Sequence, residues 1–284
     1  MKIFREAGKL RKWCEGRRSS GETIALVPTM GCLHDGHMSL VEEAKRKGAG
    51  EIVVSVFVNP VQFGPKEDYA KYPRTEKADL AKLRAAGVAA VFLPSPAAMY
   101  APDHSTYVEE TALSKGLCGA KRPGHFRGVC TVVAKLFNIV RPDFAVFGRK
   151  DYQQAQVIKR MVRDLDFGVR IVVAPIVRER DGLAMSSRNG YLSESERTAA
   201  LAISRSLSTA RPGIRTVDEC RRIADEIRKS GLKVDYVEVV DAETLERVAR
   251  TSPGDCILAA AYAGKTRLID NMQIKHRAKV PAAG

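Results

Sequence analysis

Two imidazoles stand three residues apart in "PTMGCLHDGHMSL", at His34 and His37, directly after the apolar run "IALV" and before a helix-like run. Histidines so spaced can bind a metal, relay a proton or donate a hydrogen bond to phosphate. A metal is the poorest fit. Only His104, His125 and His276 remain elsewhere, and no carboxylate or thiol stands at a familiar zinc-site spacing. Phosphate fits better, because a helix N-terminus offers free amides with partial positive charge, and Gly31 and Gly36 let the backbone come close to a ligand. Three further polar sets recur along the chain. They are Asn59 and Gln62 in "NPVQF", Lys150, Asp151 and Gln154 in "GRKDYQQ", and Met185 to Arg188 in "AMSSRNG". Amides, hydroxyls and cations are the donors that grip an anionic substrate and stabilise charge at phosphorus. Two common nucleotide signatures are missing. The stretch "AGKT" at 263–266 lacks the glycine that opens a P-loop, and no Gly-x-Gly-x-x-Gly follows the first apolar run.

For these groups to meet, the fold must bring residues near 30, 60, 150 and 185 together. Residues 24–29 read as a strand and about 36–47 as a helix; the β-branched run 52–58 reads as a strand buried on both faces. A helix over 75–87, a strand over 88–94, a helix over 128–140, a strand over 143–148, a helix over 151–165 and a strand over 169–177 follow. That alternation predicts a Rossmann-like, doubly wound parallel α/β sheet with right-handed crossovers. In such a sheet, ligands bind beyond the carboxyl ends of the strands, and each polar set follows one of them. From 178 the pattern changes. A loop precedes a helix opened by a capping box of Ser193 and Glu196, then comes a helix over 216–230 and strands near 233–240, 256–262 and 266–270. Residues 1–177 are expected to form the sheet domain and 178–284 a smaller C-terminal α/β domain.

Composition narrows the function classes. Of 284 residues, 45% are hydrophobic and 28% charged, which suits a globular protein of one or two domains. No apolar run approaches the roughly 18 residues of a membrane helix, and the basic N-terminus has no apolar signal core. The six cysteines form no Cys-x-x-Cys pair and read as reduced thiols of a cytoplasmic protein. The net charge of +14 raises nucleic-acid binding as an alternative. Its densest cluster, Arg11, Lys12, Arg17 and Arg18, has one aromatic neighbour, Trp13, so a basic surface that attracts small anions is the preferred reading, with no nucleic-acid partner.

The segments "PTMGCLHDGHMSLV", "VVSVFVNPVQFGPKEDYAKYPRT", "RPGHFRGVCTVVAKLFNIVRPDFAVFGRKDYQQ" and "VRERDGLAMSSRNGYLS" run in order from 28 to 193. His-x-Gly-His with a later Met-Ser-Ser-Arg loop resembles the nucleotidylyl-transferase superfamily. The four segments together resemble its pantoate–β-alanine ligase family; the last hundred residues match more loosely. The resemblance implies ATP-dependent condensation of pantoate with β-alanine through a pantoyl-adenylate, in cytoplasmic homodimers that need Mg²⁺. It implies that Met30, Gly31, Cys32, Leu33, His34, Asp35, Gly36 and His37 hold ATP, with Gly148, Arg149, Lys150, Asp151, Val177, Met185, Ser186, Ser187 and Arg188 completing that site. His34, His37 and Lys150 would be catalytic, with His37 as proton donor. Gln62 and Gln154 would hold pantoate, and Gln62 would border β-alanine. No protein ligand to the metal is implied. The 1–177 domain would bind nucleotide and pantoate, and the 178–284 domain would close over the ATP.

Several of these residues have ordinary structural readings as well. His125 fits a packed loop position as readily as a place in the substrate pocket, Asp151 fits a helix cap, and Asn59 a turn with Pro60. The polar segment 62–74, with Gly64, Pro65, Phe63 and Tyr72, reads as one that could close over a site. One departure stands out. Family members usually carry Gly-Glu-Lys-Asp where this chain has Gly148-Arg149-Lys150-Asp151. An arginine there is expected to point to solvent at the helix start.

Overall fold

A computed structural model of the chain describes residues 1–65 and 67–275; His276 lies outside them. Two compact units emerge, Met1–Val177 and Arg178–Gly284. The first is built on strands β1 (Lys2–Phe4), β2 (Ile24–Thr29), β3 (Glu51–Val56), β4 (Ala90–Phe92), β5 (Phe144–Gly148) and β6 (Arg170–Ala174). All pair in parallel, in the order β1-β4-β3-β2-β5-β6. Its helices are α1 (Ala7–Ser19), α2 (Asp35–Arg46), α3 (Glu76–Ala85), α4 (Pro96–Met99), α5 (Leu117–Lys121), α6 (His125–Val140) and α7 (Tyr152–Asp164). Val27, Val54, Val91, Val146 and Val172 from five strands pack with Leu40 and Val41 of α2 and Leu83 of α3. Helices α1, α6 and α7 pack on one another and reach β2 and β5. The chain leaves β2 for β3 on one side and later returns to place β5 on its other side. The order therefore reverses between β2 and β5, the place where an open parallel sheet forms its ligand crevice.

The second unit holds α8 (Glu194–Ser208), α9 (Thr216–Lys229) and an antiparallel sheet of β7 (Lys233–Val240), β8 (Cys256–Ala263) and β9 (Thr266–Gln273). Ser193 caps α8, and its box with Glu196 is complete. Ile203, Leu207, Ile223 and Ile227 from the two helices bury against Ile257 and Ala259 of the sheet.

The structure differs from the sequence reading in several places. The strand expected over 169–177 ends at Ala174, next to Pro175, which has no amide hydrogen to continue the ladder. The helix expected from 128 starts three residues earlier, so His125 is its first residue and not a loop histidine. Strand β1 and helix α1 were not anticipated. Three residues are too few to show a period, and α1 buries only Leu10 and Cys14. Helix α1 also reassigns the basic cluster. Arg18 donates to the carbonyls of Val140 and Arg141 at the end of α6, while Arg17 pairs with Glu51 at 3.1 Å and sits over the Trp13 ring. Two of the four cations thus serve the fold, one of them as a helix C-cap.

Candidate active site

Beyond the end of β2, Gly31 at φ +83° and Cys32 at φ +50° turn the chain sharply. A side chain at Gly31 would meet Val56 Cγ1 at 3.0 Å and Asp79 Oδ2 at 3.1 Å, so glycine is needed for space as well as conformation. The turn is held from α3. The buried Asp79 carboxylate accepts from the amides of Cys32 at 2.9 Å and Leu33 at 2.8 Å and from the Thr75 hydroxyl, and the Lys82 ammonium donates to the Leu33 carbonyl. This clamp was not foreseen. An aspartate within an amphipathic helix looks like part of its solvated face, and only the sheet order brings it to residue 32.

The turn delivers His34 to the N-cap of α2 and His37 to its first turn, with ring centroids 4.1 Å apart. The His34 amide donates to His37 Nδ1 at 3.3 Å, which leaves the ring proton on Nε2. Burial, reinforced by His34 and by the charges of Lys150 and Lys82 against an opposing pull from Asp151, pushes the His37 pKa down to about 3. The imidazole is therefore neutral at physiological pH. Lys150 and Asp151 act on it because β5 ends beside β2. Lys150 Nζ lies 3.4 Å from Asp151 Oδ1 in a single 3-10 turn, Arg149–Asp151, that leads into α7. Asp151 stands at the N-cap of α7 but makes no side-chain cap bond, contrary to its expected role. Arg149 is half-buried with its guanidinium 5.8 Å from the Tyr152 ring centroid, and is not simply turned to solvent.

After β3 the chain forms a 3-10 turn, Pro60–Gln62, capped by Asn59. Asn59 does far more than open a turn. Its buried amide donates to Gln62 Oε1 at 3.0 Å and to the Gly128 carbonyl at 3.1 Å, and its oxygen accepts from the Tyr100 hydroxyl at 2.8 Å. With Oε1 so engaged, Gln62 Nε2 turns to Met30 Sδ at 3.2 Å. Sulfur is a weak acceptor, so this donor is aimed yet cheaply released to a better partner. Gln62 and Met30, expected for two different substrates, are thus in contact. Of the adjacent glutamines on α7, Gln153 is buried and spent on the Cys118 amide and the carbonyls of Leu113 and Gly116. Gln154 is half-buried, with no side-chain hydrogen bond among the described residues. Phe63 meets Tyr69 and Tyr72 edge-on at 5.4 and 6.0 Å, so these aromatics form one cluster.

In the second unit, Met185, Ser186, Ser187 and Arg188 are half-buried, and Ser186 accepts from the Arg188 amide at 3.2 Å. Their loop is braced by residues not anticipated. Glu179 receives Asn189 and Arg197 at 2.6 Å each, Asp181 receives Arg197 at 2.7 Å, and Asp270 receives Arg178 at 2.7 Å. Val177, at the end of the first unit, is half-buried. Among the described residues no three His, Cys, Asp or Glu side chains gather as a metal cage, and no helix is long and apolar enough to cross a membrane.

The model of the pantoate-beta-alanine ligase family matches residues 2–273. A pantothenate synthetase of Myxococcus xanthus is 51% identical, with 96% of each chain covered. The structure is similar to that of pantothenate synthetase from Thermus thermophilus, with a TM-score of 0.89, 41% identity and coverage of 97% of this chain and 100% of that one. It is also similar to a pantoate-beta-alanine ligase from Francisella tularensis complexed with β-γ ATP and β-alanine, with a TM-score of 0.82, 33% identity and coverage of 96% and 97%.

Proposed function

The chain belongs to the pantoate–β-alanine ligase family, and on that premise we propose how its residues carry the reaction. The protein is an ATP-dependent ligase that joins (R)-pantoate to β-alanine, giving (R)-pantothenate, AMP and diphosphate. In the first step a pantoate carboxylate oxygen bonds to the α-phosphorus of ATP and the bond to diphosphate breaks. That carboxylate is already ionised at pH 7, so no general base is needed. The step needs alignment and donors where charge collects on the phosphates. In the second step the neutral amine of β-alanine bonds to the acyl carbon, AMP leaves, and the amine gives up a proton.

Residues 30–37 and 148–151, with Val177 and Met185 to Arg188, hold ATP in this proposal. His37 presents Nε2–H to phosphate as a neutral donor in the free protein. Nearby phosphate charge would raise its pKa, which leaves room for a proton-donor role toward diphosphate. His34 and Lys150 supply further donation and charge. Gln62 and Gln154 orient pantoate, with Gln62 also bordering β-alanine; an amide grips the carboxylate without the tight pairing that would blunt its attack. Two observations support this reading: the charge of Lys150, after β5, acts on His37, after β2, and the Gln62 amide is aimed at Met30, which also follows β2. Mg²⁺ is proposed as part of the nucleotide substrate, carried on its phosphates. A cytoplasmic homodimer is proposed as well; no disulfide joins the six cysteines, all of which lie among the described residues, in keeping with a reducing compartment.

The test is to incubate the protein with ATP, Mg²⁺, pantoate carrying labelled carboxylate oxygen, and β-alanine. Pantothenate should form with label in AMP. Label confined to diphosphate, or a nucleotidylated product in place of free AMP, would refute the proposed course. Sedimentation should show twice the chain mass at micromolar concentration.

A further inference from the structure

The backbone of Gln62 is held by a relay of side chains that the reaction itself does not call upon. Its carbonyl lies 2.8 Å from Nδ1 of the buried His125, and the other ring nitrogen, Nε2, lies 3.0 Å from Nη1 of Arg122. A carbonyl only accepts and a guanidinium only donates. Both contacts are satisfied in one state alone, the neutral imidazole with its proton on Nδ1 and a free lone pair on Nε2. Burial, with the charge of Arg122 beside it, pushes the His125 pKa down to about 4, so this is the state present at neutral pH. Arg122 is fixed in turn by a two-pronged pair with Glu67, at 2.6 and 2.7 Å. These side chains are 18% and 25% exposed, largely sheltered from solvent. The relay Glu67–Arg122–His125–Gln62 thus begins and ends on the same short segment and ties both its ends to the start of α6.

We propose that His125 and Arg122 are positioning residues for pantoate: they fix the main chain of Gln62, and with it the amide that grips the substrate, while Glu67 keeps Arg122 in place. This rests on the reading of Gln62 as a pantoate ligand. Asn59 sets the direction of the Gln62 side chain, and the relay sets where that side chain starts. A displacement of an ångström at such a group can cost a hundredfold, so partial loosening should be readable in pantoate kinetics.

The experiment compares His125→Phe, His125→Gln, His125→Asn, Glu67→Gln and Gln62→Ala in steady-state assays with ATP and pantoate varied separately. An asparagine amide can stand in for Nδ1 and restore the bond to the Gln62 carbonyl; a glutamine amide reaches toward Nε2 and cannot. His125→Phe and His125→Gln should raise the pantoate KM about tenfold or more, with the ATP KM and kcat within about threefold, and His125→Asn should return the pantoate KM to within about threefold of the parent. Equal losses in all three histidine variants, or a matching rise in the ATP KM, would reduce His125 to a packing residue and overturn the proposal. If Gln62→Ala raises the pantoate KM and His125→Phe does not, the relay falls while the substrate site stands. If Gln62→Ala leaves it unchanged, the site reading falls and the relay with it. Should His125→Phe fail to fold, Glu67→Gln decides, because it alters a partly exposed pair. A pantoate KM raised about threefold or more at constant ATP KM supports the relay, and no change overturns it.

Discussion

A neutral, half-buried histidine beside cations is a costly thing to keep, and its cost is visible in pH. In the unfolded chain His37 has an ordinary pKa near 6.5, while in the folded protein it is about 3. Between those values the unfolded state binds the extra proton. The stability tied to His37 is therefore complete above about pH 6.5 and is lost as pH falls toward 3, by at most about 1.4 kcal/mol per pH unit. His125, at about 4, adds to the same acid limb. His37→Asn should flatten the fall in Tm between pH 6.5 and 4, and a limb identical to the parent's would show that the imidazole titrates normally. In catalysis, His34→Ala and His37→Ala should each lower turnover about 100-fold or more, the scale of one preorganised donor. Near-normal rates would make the pair structural. The histidines were legible in the sequence because two imidazoles at a strand exit have few other uses. Asp79 and Arg122 were not, nor were the bonds of Asn59 to Gly128 and Tyr100, because each involves a segment that only folding brings near.

Helices in this chain are tools for holding loops, and two of them can be tested as such. Helix α3 holds the Gly31–Leu33 turn through Asp79. In Asp79→Asn one acceptor oxygen becomes a donor that faces a backbone amide, so a charge-assisted bond is replaced by a repulsive contact. Each such bond is worth about 1.5–3 kcal/mol. The variant should lose stability on that scale and bind ATP more weakly, as calorimetric titration would measure; unchanged ATP affinity would mean that the turn keeps its shape unaided. Helix α6 touches the 60–62 turn at Gly128, where a Cβ would come within 2.5 Å of the Val61 carbonyl oxygen and 2.7 Å of Gln62 Cα. Backbone cannot step aside as a side chain can, so Gly128→Ala should cost about 1–3 kcal/mol and raise the pantoate KM before the ATP KM. The long central elements were readable from hydrophobic period alone. The helix start at His125 was missed because its first residue is a histidine buried against the Gln62 carbonyl instead of facing solvent, which blurs the apolar stripe.

At the scale of the molecule, the change of pattern at 178 was legible because a strand–helix alternation gives way to loops and an antiparallel sheet. The purpose of the charge was not, since composition carries no positions. The net charge is +14, and most of the excess lies in residues 1–177. Part of it is engaged in structure, as Arg17 and Arg18 show. What remains gives the unit that carries the proposed crevice a net positive charge, which attracts an anionic nucleotide and an anionic acid. The field of that charge raises the local concentration of both substrates, and salt weakens it as the Debye length shrinks from about 10 Å at 0.1 M to about 3 Å at 1 M. The ATP KM should therefore rise severalfold between low and high concentrations of an indifferent salt. Turnover at saturation should change by less than about twofold, because His37 and its neighbours act at contact distance in a sheltered crevice where screening is weak. The effect should follow ionic strength and be the same for chloride and acetate salts. A flat ATP KM would show that the excess charge has no part in substrate capture, and a turnover that fell in step with affinity would show that salt reaches the reacting groups themselves.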